Sequence, residues 1–215
     1  MIKTIYNIAV ILTCHNRKAM TIKSLASVLE AERIHNSQNE EKINLAFFIT
    51  DDGCTDGTSE AIKKEYQAKE INIIYGSGTL YWAGGMQAAW EKAYKYHDKW
   101  DFYLLMNDDT LFETNVFTQL LETHHFAVAT TGKGGVYVGT CISLDRKELT
   151  YGGIVYSFPI IGRFKVVKPT GKPEHCDMTC ANILMVSKNA VDVIGLLGKD
   201  YVHCCGDWAY GIKAN

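Results

Sequence analysis

The stretch Asp101 to Glu113, DFYLLMNDDTLFE, constrains this chain more than any other. Phe102 to Leu105 is apolar without polar alternation, and Met106 leads directly into Asn107-Asp108-Asp109 before apolar residues resume at Leu111 and Phe112. Such a run suits a strand buried on both faces, as in a parallel sheet. Two adjacent carboxylates at its end repel each other and are costly beside apolar surface unless positive charge neutralises them. A divalent cation with hard oxygen ligands would do so. A solvated turn, with Asp108-Asp109 capping the next segment, fits these residues alone equally well.

The same pattern recurs upstream. Tyr6 to Leu12 reads as a strand ending at Thr13-Cys14-His15-Asn16-Arg17. Ile22, Leu25, Ala26, Val28 and Leu29 then recur at helical spacing, followed by a polar loop from His35 to Lys42. Leu45 to Thr50 is a second buried strand, ending at Asp51-Asp52-Gly53-Cys54-Thr55-Asp56-Gly57-Thr58. Thr58 is placed as an N-cap, with Glu60 in the first turn of a helix running to about Tyr66. Ile71 to Tyr75 is a third strand; Gly76, Gly78, Gly84 and Gly85 surround Leu80-Tyr81-Trp82, and a helix follows from Met86 to His97. This alternation predicts an α/β fold with a mostly parallel central sheet and helices on both faces. Such sheets bind ligands beyond the carboxyl ends of their strands, where all these polar clusters fall.

The pattern changes after a short helix at Phe117–Leu121. Val136 to Cys141 reads as a strand, Thr150 to Ser157 as a hairpin or bulged strand around Gly152-Gly153, and Arg163 to Val167 as another strand. Pro169 to Pro173 is a loop, Cys180 to Val186 a core strand, and a helix starts at Lys188. Asp207 is placed to cap a last short helix.

A length of 215 residues suits one domain, and a net charge of -2 lacks the basic excess of a nucleic-acid binder. No apolar run is long enough to span a bilayer. The N-terminus has a short apolar run but no small-residue cleavage site, so Ile8 to Leu12 reads as a strand and not as a signal peptide. The seven Cys, mostly in apolar or small-residue settings, read as free thiols of a reducing cytosol. His175-Cys176, Cys180 and His203-Cys204-Cys205 lack the CxxC spacing of a zinc knuckle. Gly76-x-Gly78 lacks the third glycine of a dinucleotide loop.

Taken together the motifs resemble family 2 glycosyltransferases, over essentially the whole chain. Thr13 to Arg17 is similar to their TxxNR-type opening. Asp51 to Thr58 matches their DDGSTDGT signature with Cys54 in place of Ser, and Asn107-Asp108-Asp109 resembles their DxD-type motif. Gly206 to Ala214, GDWAYGIKA, is similar to the GDxDYGLRA segment of rhamnosyltransferase-like members. The resemblance implies a GT-A fold, a nucleotide-diphospho-sugar donor, Mn2+ or Mg2+, and inversion at the anomeric carbon. It implies Asp109 as the metal ligand, Asp108 near the ribose or metal shell, and Asp51 and Asp52, with Thr13, His15 and Arg17, around the nucleotide. Trp82-Ala83-Gly84-Gly85 resembles the FAGG-type segment that precedes a helix and lies beside the donor. Asp207 is the implied catalytic base, doubling as a helix cap. His203 reads as a packed histidine, with a metal or diphosphate contact as the other reading.

On this reading the chain is one domain with a nucleotide-sugar-binding half, residues 1–112, and an acceptor-side half, residues 113–215. The expected activity is transfer of a sugar, from a dTDP- or UDP-sugar such as dTDP-rhamnose, to a glycan or lipid-linked glycan of a cell-surface polysaccharide. The expected location is cytoplasmic, with the inner face of the membrane open as a peripheral site. Two departures bear on this. Ala209 replaces the second acidic residue of GDxDYG, and related transferases usually continue past this helix, so the acceptor side is expected to be short here or completed elsewhere. A non-catalytic sugar-nucleotide or glycan-binding subunit is the alternative; a pyrophosphorylase would carry a glycine-rich loop where Thr13–Arg17 has none.

Overall fold

The computed structural model describes residues 4–158, 163–198, 200–201 and 205–215. Its first half alternates as β1 (Ile5–Cys14), α1 (Lys18–Gln38), β2 (Lys42–Asp51), α2 (Thr58–Glu65), β3 (Glu70–Tyr75), α3 (Tyr81–Tyr94) and β4 (Phe102–Met106). Then follow α4 (Val116–Thr131), β5 (Val136–Val138), β6 (Cys141–Ile142), β7 (Leu149–Tyr151), β8 (Ile154–Phe158), β9 (Arg163–Val166), β10 (Ile183–Ser187), α5 (Lys188–Ile194) and α6 (Gly206–Ala214).

Six strands form one sheet in the order β3-β2-β1-β4-β10-β5. β1 pairs in parallel with β2 on one side and β4 on the other, and β3 extends the parallel set beyond β2. β10 alone runs against its neighbours β4 and β5. Its direction matters for the site. Ile183, the first residue of β10, lies opposite Met106, the last residue of β4. The segment entering β10 therefore arrives at the edge where the parallel strands end.

Side chains alternate across a strand, so the unbroken apolar run of β1 feeds both faces. Ile8, Val10 and Leu12 pack with Leu25 and Val28 of α1, Ile62 of α2, and Phe117 and Leu120 of α4. Ala9 and Ile11 pack with Met86 and Trp90 of α3, Val191 of α5 and Tyr210 of α6. The mostly parallel sheet with helices on both faces is thus as the sequence pattern requires.

Several boundaries differ from the sequence reading, for physical reasons. The loop expected from His35 is the last turn of α1, whose buried face carries polar residues. Glu32 accepts from Leu45 N and from Lys69 Nζ, and His35 Nδ1 lies 2.9 Å from Thr118 Oγ1. Ala26, read as part of the apolar stripe, is exposed. The helix expected at Phe117–Leu121 continues to Thr131; its second half packs through histidine, with His124 Nδ1 2.9 Å from the Tyr137 hydroxyl and its ring edge-on to Phe102. Gly57, at φ 78°, and not Thr58, is the N-cap of α2. The strand expected from Val136 to Cys141 is two short strands in different sheets, and Gly152-Gly153 separates β7, paired with β6, from β8, paired with β9.

α3 begins at Tyr81, five residues before the expected Met86, so Trp82, Gly84 and Gly85 lie in its first turns. Gly85 is where this helix presses closest to the sheet. Thr50 Oγ1 donates to Gly85 O at 2.7 Å, and a Cβ on Gly85 would lie 2.2 Å from Thr13 Oγ1 and 2.7 Å from Thr13 Cβ. Gly85→Ala is accordingly expected to destabilise the fold by about 1–3 kcal/mol, the usual cost of overpacking. Thermal unfolding checks this: an unchanged melting temperature would show that α3 is free to lift from β1.

Candidate active site

β1, β2 and β4 end side by side, and the loops that follow them form one rim. Asp108, just beyond β4, is almost wholly buried at 1 % side-chain exposure. It is held from two sides. Arg17 Nη2 donates to Asp108 Oδ1, and Thr21 Oγ1 donates to Asp108 Oδ2 at 3.2 Å. Burial pushes the Asp108 carboxyl up to about 6; Arg17 opposes this, and neighbouring Asp109 adds to it. Asp109 is more open, with 41 % of its side chain exposed, and accepts from Arg17 Nη1 at 2.8 Å. Arg17 therefore clasps both carboxylates.

The segment 108–112 is fastened to α1 by a stripe of hydroxyls three residues apart. Besides Thr21, Ser24 Oγ donates to Thr110 O at 2.6 Å, and Ser27 Oγ accepts from Phe112 N at 2.9 Å. Sequence reasoning followed the apolar stripe of this helix and passed over the polar one; the period-three series Thr21, Ser24, Ser27 was the available signal.

The acidic signature after β2 points inward. Asp51 Oδ1 accepts from Cys54 N, three residues on, at 2.7 Å, and Asp51 Oδ2 accepts from Ser59 Oγ of α2. Asp52 gathers three backbone N–H groups of the loop after β3: Gly78 N at 2.8 Å on Oδ1, and Leu80 N and Tyr81 N at 2.9 and 3.0 Å on Oδ2. Asp56 accepts from Thr58 and, at 2.9 Å, from Lys18 N at the start of α1. The two carboxylates expected at the nucleotide, Asp51 and Asp52, are buried and tie neighbouring loops together. A carboxylate oxygen that accepts one hydrogen bond keeps a further lone pair for a ligand.

His15 is exposed on the rim, with Nδ1 2.6 Å from Asp52 O. Thr13 is part-buried beneath Gly85 and donates to Thr50 O at 3.3 Å. The glycines of Trp82-Ala83-Gly84-Gly85 were expected in a loop before the helix; inside α3 they serve close packing, Gly85 against Thr13 and Gly84 against Leu80. Three rim residues other than glycine take positive φ: Asn16 at 50°, Tyr81 at 54° and Cys205 at 67°. Tyr81 opens α3, Cys205 immediately precedes α6 and Asn16 lies two residues before α1, and strained backbone of this kind persists where the surroundings fix it. Asn16 is fixed by Thr55 N, which donates to its Oδ1 at 2.7 Å.

Trp82 joins the early and late motifs. Its Nε1 donates to Asn107 Oδ1 at 2.8 Å, and a Cβ built on Gly206 would lie 3.7 Å from its ring. Gly206 opens α6, and Asp207 follows in the first turn. Asp207 is not the N-cap, a position held by Cys205. Instead Asp207 Oδ2 accepts from Ala181 N at 2.9 Å, Asp207 Oδ1 from Trp208 N at 3.0 Å, and Thr179 Oγ1 donates to Asp207 O at 2.7 Å. Since Ala181 leads into β10, these bonds fix α6 at the edge where β4 ends. Burial raises the Asp207 carboxyl above its ordinary value, although the two backbone donors pull the other way. His203 and Cys204 lie outside the described residues.

The donor set at the end of β4 suits a hard divalent cation. Asp109 offers an exposed carboxylate, and one or two carboxylates completed by substrate phosphates are a usual Mg2+ arrangement. The structure also revises the electrostatic argument: part of the neutralisation that the Asp108-Asp109 pair demands is supplied from within, by Arg17. Among the described residues no three His, Cys, Asp or Glu side chains cluster as a protein-only metal cage.

Comparison with known structures agrees with this architecture. The Staphylococcus aureus TarS fragment 1–349 matches with a TM-score of 0.59 at 13 % identity, over 97 % of this chain and 55 % of that one. The same fragment in complex with UDP-GlcNAc gives 0.58 at 11 % identity, over 97 % and 53 %. The chain thus spans about half the length of the TarS fragment it matches, and at such identities the likeness is one of fold, the α/β arrangement of GT-A glycosyltransferases. No individual curated protein sequence matches significantly. The profile of Glycosyl transferase family 2 matches residues 9–185, from the middle of β1 to β10, and the chain belongs to that family.

Proposed function

We propose that this chain is the donor-binding and catalytic core of an inverting, metal-dependent glycosyltransferase that moves a sugar from a nucleotide diphosphate to a glycan acceptor. The observation that carries this reading is the convergence at one sheet edge of Asp108-Asp109 from β4 and Asp207 from α6, with Trp82 between Asn107 and Gly206. Departure of a diphosphate needs positive charge on one side of the sugar, and attack by a hydroxyl needs a base on the other.

The residues divide accordingly. Residues 1–112 form the donor half, with Thr13, His15, Arg17, Asp51, Asp52, Trp82, Gly84 and Gly85 at or beneath the donor, and Asp108 as the supporting carboxylate. Residues 113–215 form the acceptor half. Asp109 would hold Mn2+ or Mg2+ together with the donor's phosphates; the cation, when bound, supplies charge stabilisation to the leaving diphosphate. Asp207 takes the proton of the attacking hydroxyl, and its burial-raised carboxyl makes it a stronger base than a solvated aspartate.

UDP-sugars are the favoured donors, because the TarS fragment of like fold binds UDP-GlcNAc. The rhamnosyltransferase-like late motif keeps dTDP-rhamnose in the same panel. The acceptor is a glycan or lipid-linked glycan of a surface polysaccharide, met at the cytoplasmic face of the membrane by peripheral association. No helix of the described residues is long and apolar enough to cross a membrane.

Three outcomes test this. Asp109→Ala should abolish transfer and donor hydrolysis while leaving the melting temperature within a few degrees, since the side chain is partly exposed; full activity of this variant in a metal-supplemented donor-hydrolysis assay rejects the metal role. Asp207→Asn should retain UDP binding by calorimetry but lose about 100- to 10,000-fold in transfer, the range of general-base catalysis. If it transfers at the native rate, Asp207 is not the base. The base must be ionised, so kcat should fall as pH drops through the Asp207 value. With that value raised by burial, the acidic limb should lie at higher pH than that of a solvated aspartate; a limb at or below the solvated aspartate's contradicts the assignment.

A further inference from the structure

Arg17 makes the most informative contact in the site. Its backbone is fixed, because its carbonyl accepts from Met20 N and Thr21 N at the start of α1. Its guanidinium is half exposed and meets two carboxylates of unequal standing. Asp108 is buried and also held by Thr21, so that half of the clasp is anchored at both ends. Asp109 is open to solvent, and Arg17 Nη1 lies 2.8 Å from its Oδ2. An exposed ion pair of this kind is weak and readily exchanged.

A divalent cation held by Asp109 would stand beside the Arg17 guanidinium, and their like charges repel at close range. We propose that Arg17 is a positioning residue that competes with the divalent cation for Asp109: the cation displaces Arg17 from Asp109, and the released nitrogen, still tethered through Asp108, turns to the donor's diphosphate. This rests on the metal-dependent reading above. Without donor, Arg17 neutralises the carboxylates and lowers their affinity for metal. With donor, the diphosphate offers the guanidinium a new anionic partner and Asp109 is left to the cation. Metal and nucleotide diphosphate therefore bind cooperatively, and Arg17 is the element that couples them, because each ligand favours the same rearranged clasp.

The test measures Mn2+ binding by the loss of the free-ion electron paramagnetic resonance signal, with and without UDP, in the native chain and in Arg17→Met. Arg17→Met should bind Mn2+ alone about tenfold more tightly than the native chain, within the usual span of coupling free energies. UDP should strengthen Mn2+ binding in the native chain and do so much less in the variant. Should Arg17→Met unfold, Arg17→Gln, which keeps a neutral donor toward Asp108, replaces it under the same expectation. Equal or weaker Mn2+ binding by a folded Arg17 variant, where the native chain binds Mn2+ with UDP, overturns the competition and leaves the metal reading standing. Absence of Mn2+ binding to the native chain even with UDP overturns both.

Discussion

The site depends on keeping a carboxylate at the end of a strand that is buried on both faces. Asp108 stands two residues beyond the five buried residues of β4, and its own side chain is nearly as enclosed. Such a group stays in place only if its hydrogen-bonding capacity and charge are met. Thr21 and Arg17 do this, and both come from the start of α1. The position of α1 against the sheet is therefore set by the same contacts that compose the site. The hydroxyl stripe of Ser24 and Ser27 extends this fastening along the next turns, and fixes the direction in which the chain leaves β4.

The acidic signature after β2 plays a comparable part for the rest of the rim. Asp51 holds α2, Asp52 holds the loop leading into α3, and Asp56 meets the first N–H of α1. These carboxylates satisfy backbone donors that the parallel-sheet architecture leaves unpaired where loops turn back toward helices. Small residues and hydroxyls fill the positions between them because the turns are tight; Gly53 at φ 74° and Gly57 at φ 78° occupy the left-handed region. The motif that looks most like a ligand-binding surface in the sequence is, in the folded chain, mostly the joint between three loops.

The legible part of the sequence was the part governed by periodicity. The unalternated runs of β1, β2 and β4 and the polar clusters at their ends predicted the mostly parallel sheet, the helices on both its faces and the strand ends at which those clusters gather. Properties that need long-range partners were not legible. α1 and α4 were cut short because Glu32, His35 and His124 look solvent-facing until Lys69, Thr118 and Tyr137 are brought against them. The glycines of α3 read as a loop because only the fold shows Thr13 beneath Gly85. Resemblance places Arg17 at the nucleotide, and its clasp on Asp108 and Asp109 joins residues 91 and 92 positions apart, which no local pattern reports.

The late motif shows how the proposed base, Asp207, is positioned from far along the chain. Asp207 sits in the first turn of α6, where helix N–H groups favour the ionised form, yet burial prevails and leaves the carboxyl raised. Its position comes not from the short helix itself but from Ala181 N and Thr179 on the approach to β10. β10 is registered on β4 residue by residue. The chain of positioning thus runs from β4 through β10 to α6 and back to Asn107 through Trp82, closing on the strand that carries Asp108 and Asp109. The bonds that orient Asp207 come from backbone and threonine, so a carboxylate two residues on, where Ala209 stands, is not needed to hold Asp207 in place.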